Sequence, residues 1–191
     1  MRCLGCQRLS FSIVCSECHD RLFAPEISTR TAGSLDVITL YAYSSIEPFI
    51  LTKHDPLGYR VYRYFARKQI RPFLRRFAEG RKDPIYLVAV DDRVDSGYAH
   101  TAVLSRYAAV ENIRPLTGVL HARNRVRYAG KPLSYRLENP RDFRYRGPSG
   151  IRAILLDDVV TTGLTLQEAY TELLGHGVEV LFALTLADAR R

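Results

Sequence analysis

A mostly parallel α/β sheet, covered on both faces and carrying a small four-cysteine knuckle at its amino end, is the fold this sequence predicts. Three observations predict it. The strand candidates, such as IYLVAV at 85–90 and AILL at 153–156, are continuous apolar runs rather than alternating ones, as strands buried on both faces are. These runs alternate with segments of helical period, the order of βα units. All four cysteines fall within the first 18 residues, apart from the rest of the pattern.

The knuckle comes first in the chain. Cys3-Leu-Gly-Cys6 and Cys15-Ser-Glu-Cys18 are two CxxC pairs, and four thiolates form the soft tetrahedral set that Zn2+ prefers. A closed four-sulfur site leaves no position for water, so its role is structural. Disulfides do not suit a reducing compartment, and redox CxxC chemistry lacks the βαβ context it uses. His19 directly follows Cys18 and is an alternative ligand.

Residues 23–33, FAPEISTRTAG, read as linker and turn, with Pro25 and Gly33 as breakers. The chain therefore divides into a zinc-binding segment, 1–30, and a main domain, 31–191. In the latter, LDVITLYAY (35–43) reads as a strand, followed by a short helix near 46–52 and a longer one across 58–79, bent near Pro72. A buried strand at 85–91, a helix near 97–110 and a strand near 115–121 follow. The last units are a strand at 151–157, a helix at 164–176 and a strand at 177–186.

Hydrophobic residues make up 47% of the 191 and charged ones 25%, a globular composition. No apolar run reaches the roughly 18–20 residues of a membrane span, and no signal-peptide core follows Met1; a cytoplasmic protein is expected. The net charge of +8 is concentrated. Residues 60–82 hold nine Lys/Arg against one acid, and residues 121–146 hold eight against two. Together they carry +14, which implies a polyanionic partner, although solvated helix faces would show the same pattern.

The stretch ILLDDVVTTG, 154–163, carries the chemistry. In an open α/β sheet, ligands bind beyond the carboxyl ends of the strands, where Asp157 and Asp158 emerge here. Val159 to Thr165 then make a loop into a helix N-terminus. The hydroxyls of Thr161, Thr162 and Thr165, the small Gly163 and the free helix N–H groups form a cradle for one phosphate. Two carboxylates repel a phosphate, so they suit the hydroxyls of a sugar, or a divalent cation, joined to it. A solvated loop with ordinary N-cap chemistry would use the same residue types.

At these residues, AILLDDVVTTGLT (153–165) resembles the phosphoribosyl-pyrophosphate (PRPP) binding motif of type I phosphoribosyltransferases: four hydrophobics, two acids, two aliphatics, then Thr-Thr-Gly-x-Thr. With the double CxxC before it, the chain resembles more narrowly the competence ComF family (ComFC-like proteins). RVDSGYAHTAVLSR (93–106) is similar to that family's Arg-Gly-Phe-Asn-Gln segment, with Tyr98, Ala99 and His100 in place of Phe-Asn-Gln. Arg136 to Phe143, RLENPRDF, is similar to its Arg-x-x-Asn-x-x-x-Phe segment, with Ala129-Gly130-Lys131 where a glutamine is usual.

The resemblance implies a type I phosphoribosyltransferase fold, with Asp157 and Asp158 on the ribose hydroxyls as the catalytic pair. It implies that Thr161, Thr162, Gly163 and Thr165 hold the 5′-phosphate, with Val160 and Leu164 in the same PRPP-binding stretch. Pyrophosphate with Mg2+ needs a second, cationic loop, for which Lys53 in LTKHDPLG is the candidate; a plain surface lysine is the other reading. The segment 121–146 is expected to form a hood, with Arg123, Arg125, Arg127 and Lys131 neutralising pyrophosphate. The same segment, with Tyr128, Tyr135, Phe143 and Tyr145, also suits phosphate contacts and base stacking on single-stranded nucleic acid. Arg63, Arg67 and Arg71 add cations at helical spacing, with Tyr62 and Tyr64 nearby; Phe65, Phe73 and Phe77 read as core. The resemblance implies a PRPP-binding protein of natural transformation that assists single-stranded DNA uptake and meets other DNA-import proteins. A housekeeping transferase of a purine, pyrimidine or other base, with no DNA role, is the alternative.

Overall fold

The computed structural model describes residues 1–90, 97–124 and 133–190. Among these, the central sheet has six strands in the order β1-β2-β8-β7-β3-β4. They are β1 (Ser28–Ala32), β2 (Leu35–Ala42), β3 (Ile85–Ala89), β4 (Ile113–Leu116), β7 (Arg152–Val160) and β8 (Glu179–Asp188). All neighbouring pairs are parallel except β1 with β2. A two-stranded antiparallel hairpin, β5 (Leu120–Ala122) with β6 (Phe143–Tyr145), stands apart.

Apolar strands on both faces need two covers, and two cores provide them. Leu87, Ile154, Leu156 and Leu184 enter one; Val88, Leu155 and Ala183, their alternate neighbours, enter the other. The first core is closed by α2 (Tyr43–Ile50), α3 (Pro56–Phe65), α4 (Arg71–Ala78) and α5 (His100–Ala108). The second is closed by α7 (Leu164–Gly175) and by Leu120, Phe143 and Tyr145 of the hairpin. Burial of Phe143 and Tyr145 in that core removes them as stacking faces, and Tyr62 and Tyr64 are likewise buried.

The cysteine segment belongs to the first core. Its short helix α1 (Ser16–Leu22) ends at Phe23, 1% exposed, whose ring meets Phe49, Tyr64 and Phe65. The Tyr41 hydroxyl and the Gln69 amide both donate to the Phe23 carbonyl at 2.9 Å. A segment too short for its own core thus borrows one.

Several expected boundaries move. Residues 28–32, expected as linker, form β1, an edge strand hairpinned to β2 around 33–34. Its polar sequence STRTA has one face to bury, so no apolar run marks it. The long helix is broken as expected, but by a π-helical stretch, Ala66–Ile70, where the Arg71 N–H reaches back to the Ala66 carbonyl. Pro72 follows, without the N–H that an α-turn would use. The strand expected at 115–121 is β4 at 113–116 and then β5 of the hairpin. A short α6 (Leu133–Glu138) precedes β6. No helix among the described residues is long and apolar enough to cross a membrane.

Candidate functional site

The site is built on the carboxyl end of β7, which runs further than its sequence suggests. The ladder to β8 continues past the acids, pairing Asp157 with Thr185, Val159 with Ala187 and Val160 with Asp188. Asp157 and Asp158 therefore lie within a pleated strand and turn to opposite faces. Asp158 follows Ile154 and Leu156 toward the helices α3 and α5; Asp157 follows Leu155 toward the side of α7.

The two carboxylates live in different surroundings. Asp158 is 5% exposed. Its Oδ2 accepts from the Tyr62 hydroxyl at 2.9 Å and from Lys53 Nζ at 3.1 Å, and His100 Nε2 lies 3.3 Å away. Burial by itself would raise the Asp158 pKa; the charges of His100 and Lys53 and the hydrogen bond from Tyr62 outweigh it, holding the carboxyl well below its ordinary range. Burial, with Asp158 beside it, pushes the Tyr62 phenol well up, so Tyr62 stays a neutral donor. Asp157 is half-buried, and its Oδ1 accepts the Asp158 backbone N–H at 2.8 Å.

Lys53 is delivered by a 3-10 turn, Leu51–His54, that follows α2. Tyr98 clamps this turn, its hydroxyl donating to the carbonyls of Lys53 (2.9 Å) and Asp55 (3.1 Å). Gly58, near the start of α3, makes the approach possible. A Cβ there would sit 2.1 Å from the Thr52 carbonyl oxygen and 2.2 Å from the Tyr98 hydroxyl.

The loop after β7 is tight. Val160 is buried, Thr161 exposed, Thr162 half-buried, and Leu164 and Thr165 open α7 half-buried. The Thr162 hydroxyl accepts the Leu164 N–H at 3.4 Å. Gly163 is the N-cap residue, with φ +91, and a Cβ on it would stand 2.8 Å from the Ala32 Cβ. Glycine is thus required by backbone conformation and by the close pass of β1. Neither acid caps α7, whose cap has no side-chain hydrogen bond, so N-cap chemistry does not account for the acid pair. Arg30 of β1 fixes the loop from below, donating to the Thr161 carbonyl at 2.6 Å and pairing through Nε with Asp188 at 3.0 Å.

Sequence reasoning missed Arg30, Tyr62, Tyr98 and His100. Arg30 lay in a stretch read as linker, and Tyr62 in a run of aromatics read as helix surface or core. Tyr98 and His100 stood out only as departures from a motif.

The four cysteine sulfurs lie within 4.8 Å of one another. Cys6 and Cys15 are 3.7 Å apart, close to the edge of a tetrahedron of about 2.3 Å metal–sulfur bonds and far beyond a disulfide length of about 2.05 Å. Backbone N–H groups of Gly5 and Cys15 point at the Cys3 sulfur at 3.4 and 3.3 Å. Backbone hydrogen bonds, those of Cys15 and Cys6 foremost, lower the Cys3 thiol to about 6. The cluster could hold a metal ion, and its donors are compatible with zinc. His19 turns elsewhere, its Nδ1 2.6 Å from the Tyr64 hydroxyl.

Among the described residues, the arginines of 60–82 meet two different neighbourhoods. Arg63 and Arg67 lie over the Tyr107 ring at 5.0 and 5.1 Å. Arg71 instead joins Arg75, Arg81, Lys82 and Arg114 around an open groove of about 890 Å³. That groove lies at the amino ends of β3 and β4, whereas Asp157 is at a carboxyl end. Arg123 is exposed and pairs with Asp142 at 3.3 Å; Tyr135 is half-buried in α6. Arg125, Arg127, Tyr128 and Lys131 lie outside the described residues.

No family model matches the chain. No curated protein matches it. Solved structures similar to it include an adenine phosphoribosyltransferase, 12% identical, covering 91% of this chain and 89% of that one at TM-score 0.45. A hypoxanthine phosphoribosyltransferase from Staphylococcus aureus is 13% identical over 66% of this chain, TM-score 0.42. The UMP synthase of Leishmania donovani is 20% identical over 67% of this chain, TM-score 0.39. The chain spans 62% of the length of the second of these and 22% of the third.

Proposed function

We propose that the chain binds PRPP with Mg2+ and is a phosphoribosyltransferase-like protein that serves single-stranded DNA uptake in natural transformation. The observation that carries the sugar–phosphate reading is the strand–loop–helix of 153–165. It brings one half-buried acid, Asp157, a threonine-lined turn and a helix N-terminus to the carboxyl end of a central strand, the place where open α/β sheets hold ligands.

The two acids divide the work. Asp157 is the acid for the ribose hydroxyls. Asp158 is a positioning residue, which holds Lys53 at the edge of the site through the ion pair. Thr161, Thr162, Thr165 and the first N–H groups of α7 take the 5′-phosphate. Lys53, 26% exposed at its side chain, is the cation for the pyrophosphate, and Mg2+ supplies charge neutralisation there when bound. In phosphoribosyl transfer the acceptor's lone pair bonds to the anomeric carbon as the bond to the pyrophosphate oxygen breaks, its electrons leaving with pyrophosphate. The sugar gains positive charge on the way, which a nearby carboxylate favours.

The cysteine cluster is proposed to hold one structural Zn2+. The DNA role is supported by the +14 of residues 60–82 and 121–146 and by the exposure of Arg67, Arg71 and Arg123. Exchange of labelled pyrophosphate into PRPP, run across a panel of free bases, tests the transferase reading. Exchange that depends on one acceptor supports it; a protein with no PRPP affinity in the presence of Mg2+ removes it.

A further inference from the structure

A second cavity, of about 420 Å³, opens between α3, α5 and the end of β4, on the face of the sheet opposite the β5–β6 hairpin. Its walls include Tyr59, Tyr98, Tyr107, Val103 and Pro115, and Arg106 stands among them. The volume lies in the range of small-molecule sites, roughly 300–1,000 Å³.

The three tyrosines form one rigid aromatic corner. The Tyr59 ring meets Tyr98 at 5.9 Å and 87°, and Tyr107 at 6.2 Å and 84°. Their hydroxyls are used within the protein: Tyr59 and Tyr107 bond each other at 2.6 Å, and Tyr98 bonds the 53–55 backbone. The pocket is therefore walled by ring carbon, and its hydroxyls are committed to holding the rings in place. One cation lines it, Arg106, whose guanidinium carbon lies 5.9 Å from the Tyr107 ring centre. Arg63 and Arg67 reach the same ring at 5.0 and 5.1 Å without lining the cavity.

Aromatic walls favour a flat ring by offset or edge-to-face stacking, and Arg106 in the wall, with Arg63 and Arg67 beyond it on the Tyr107 ring, repels a cation and attracts an anion. We propose that this pocket binds the base of a nucleotide, with the attached phosphate at Arg106 and its neighbours. The shared chemistry is a heterocyclic base carrying a phosphate, supplied either by a free mononucleotide or by one unit of a single strand. Binding here is independent of the sugar–phosphate reading. The two places nonetheless touch, because the Tyr98 ring that walls the pocket also clamps the turn bearing Lys53.

The test compares adenosine 5′-monophosphate, adenosine, ribose 5-phosphate and a tetrathymidylate by calorimetry and by aromatic-ring NMR of the full chain. Ala102→Trp fills the cavity, which Ala102 lines, and Tyr107→Leu removes one wall. The expectation is that adenosine 5′-monophosphate perturbs the tyrosine ring resonances, that adenosine binds more weakly, and that each variant lowers nucleotide affinity at least tenfold while PRPP affinity is kept. A tetrathymidylate binding tenfold tighter than the mononucleotide, with the same sensitivity to Ala102→Trp, identifies a strand as the source; the reverse order identifies the free nucleotide. Nucleotide affinity unchanged by both variants, or tyrosine resonances moved equally by ribose 5-phosphate, overturns the proposal. If Ala102→Trp fails to fold, Tyr107→Leu and the wild-type ring resonances still decide. A protein that binds the nucleotide in this pocket but not PRPP would keep this inference and discard the sugar–phosphate reading.

Discussion

Lys53 and Asp158, 105 positions apart, meet at 3.1 Å, Nζ to Oδ2, at the inner edge of the candidate site. The contact sets the two acids of the pair apart: one is an internal counter-ion, and the other faces the opposite side of the strand.

Acid sensitivity follows from the depressed Asp158 pKa. A carboxyl whose folded pKa is lowered contributes stability that is fully present above its unfolded value, near 3.9, and is lost as pH falls toward the folded one. Wild-type melting temperature should therefore drop steeply below about pH 4. Asp158→Asn leaves Lys53 without its counter-ion, so it should cost about 3–5 kcal/mol at neutral pH and flatten that acid limb. A variant with the wild-type melting profile at both pH 7 and pH 3 would contradict the counter-ion role.

Gly58→Ala inverts a familiar sign. In an ordinary helix this change stabilises by roughly 0.5–1 kcal/mol. Here the new Cβ would meet the Thr52 carbonyl at 2.1 Å, and the turn carrying Lys53 must move. The expected result is a lower melting temperature and weaker PRPP binding; a more stable protein with unchanged affinity would mean that the turn is not held as described.

Metal analysis of the purified protein should find about one zinc per chain. Removal by chelation, or Cys15→Ser, should lower the melting temperature, because Cys3 and Cys18 share a core with Phe23 and Tyr41. Metal-free protein melting normally would leave the cysteines as packing residues only.

Single-stranded DNA affinity should fall linearly in log salt, with a slope of about 0.7 per phosphate neutralised. Arg71→Gln with Arg75→Gln should reduce the slope if the groove is the contact surface. Arg63→Gln with Arg67→Gln should reduce it if the stripe beside Tyr107 is. No binding at low salt would remove the DNA role.

The apolar runs of β3 and β7 were legible in sequence because each must satisfy two cores, and the cysteines because four sulfurs around one ion impose a spacing. The loop 161–165 was legible for the same kind of reason, since Gly163 answers a local backbone requirement. The difference between Asp157 and Asp158 was not. It depends on how far β8 runs beside β7, and a strand ending at the acids would have left both in the loop. His100 and Tyr62 were hidden because their meaning lies in a partner distant in the chain. Arg30 was hidden because an edge strand with one covered face resembles a linker.

Calorimetric titration of PRPP with Mg2+ into wild type, Asp157→Asn and Asp158→Asn, with the fold of each checked by melting, is the most direct measurement. Loss of a charge-assisted hydrogen bond of about 1.5–3 kcal/mol should weaken binding to Asp157→Asn at least tenfold with the melting temperature unchanged, whereas Asp158→Asn should lose stability first. Wild-type affinity in a folded Asp157→Asn protein would contradict the sugar-binding role of the motif.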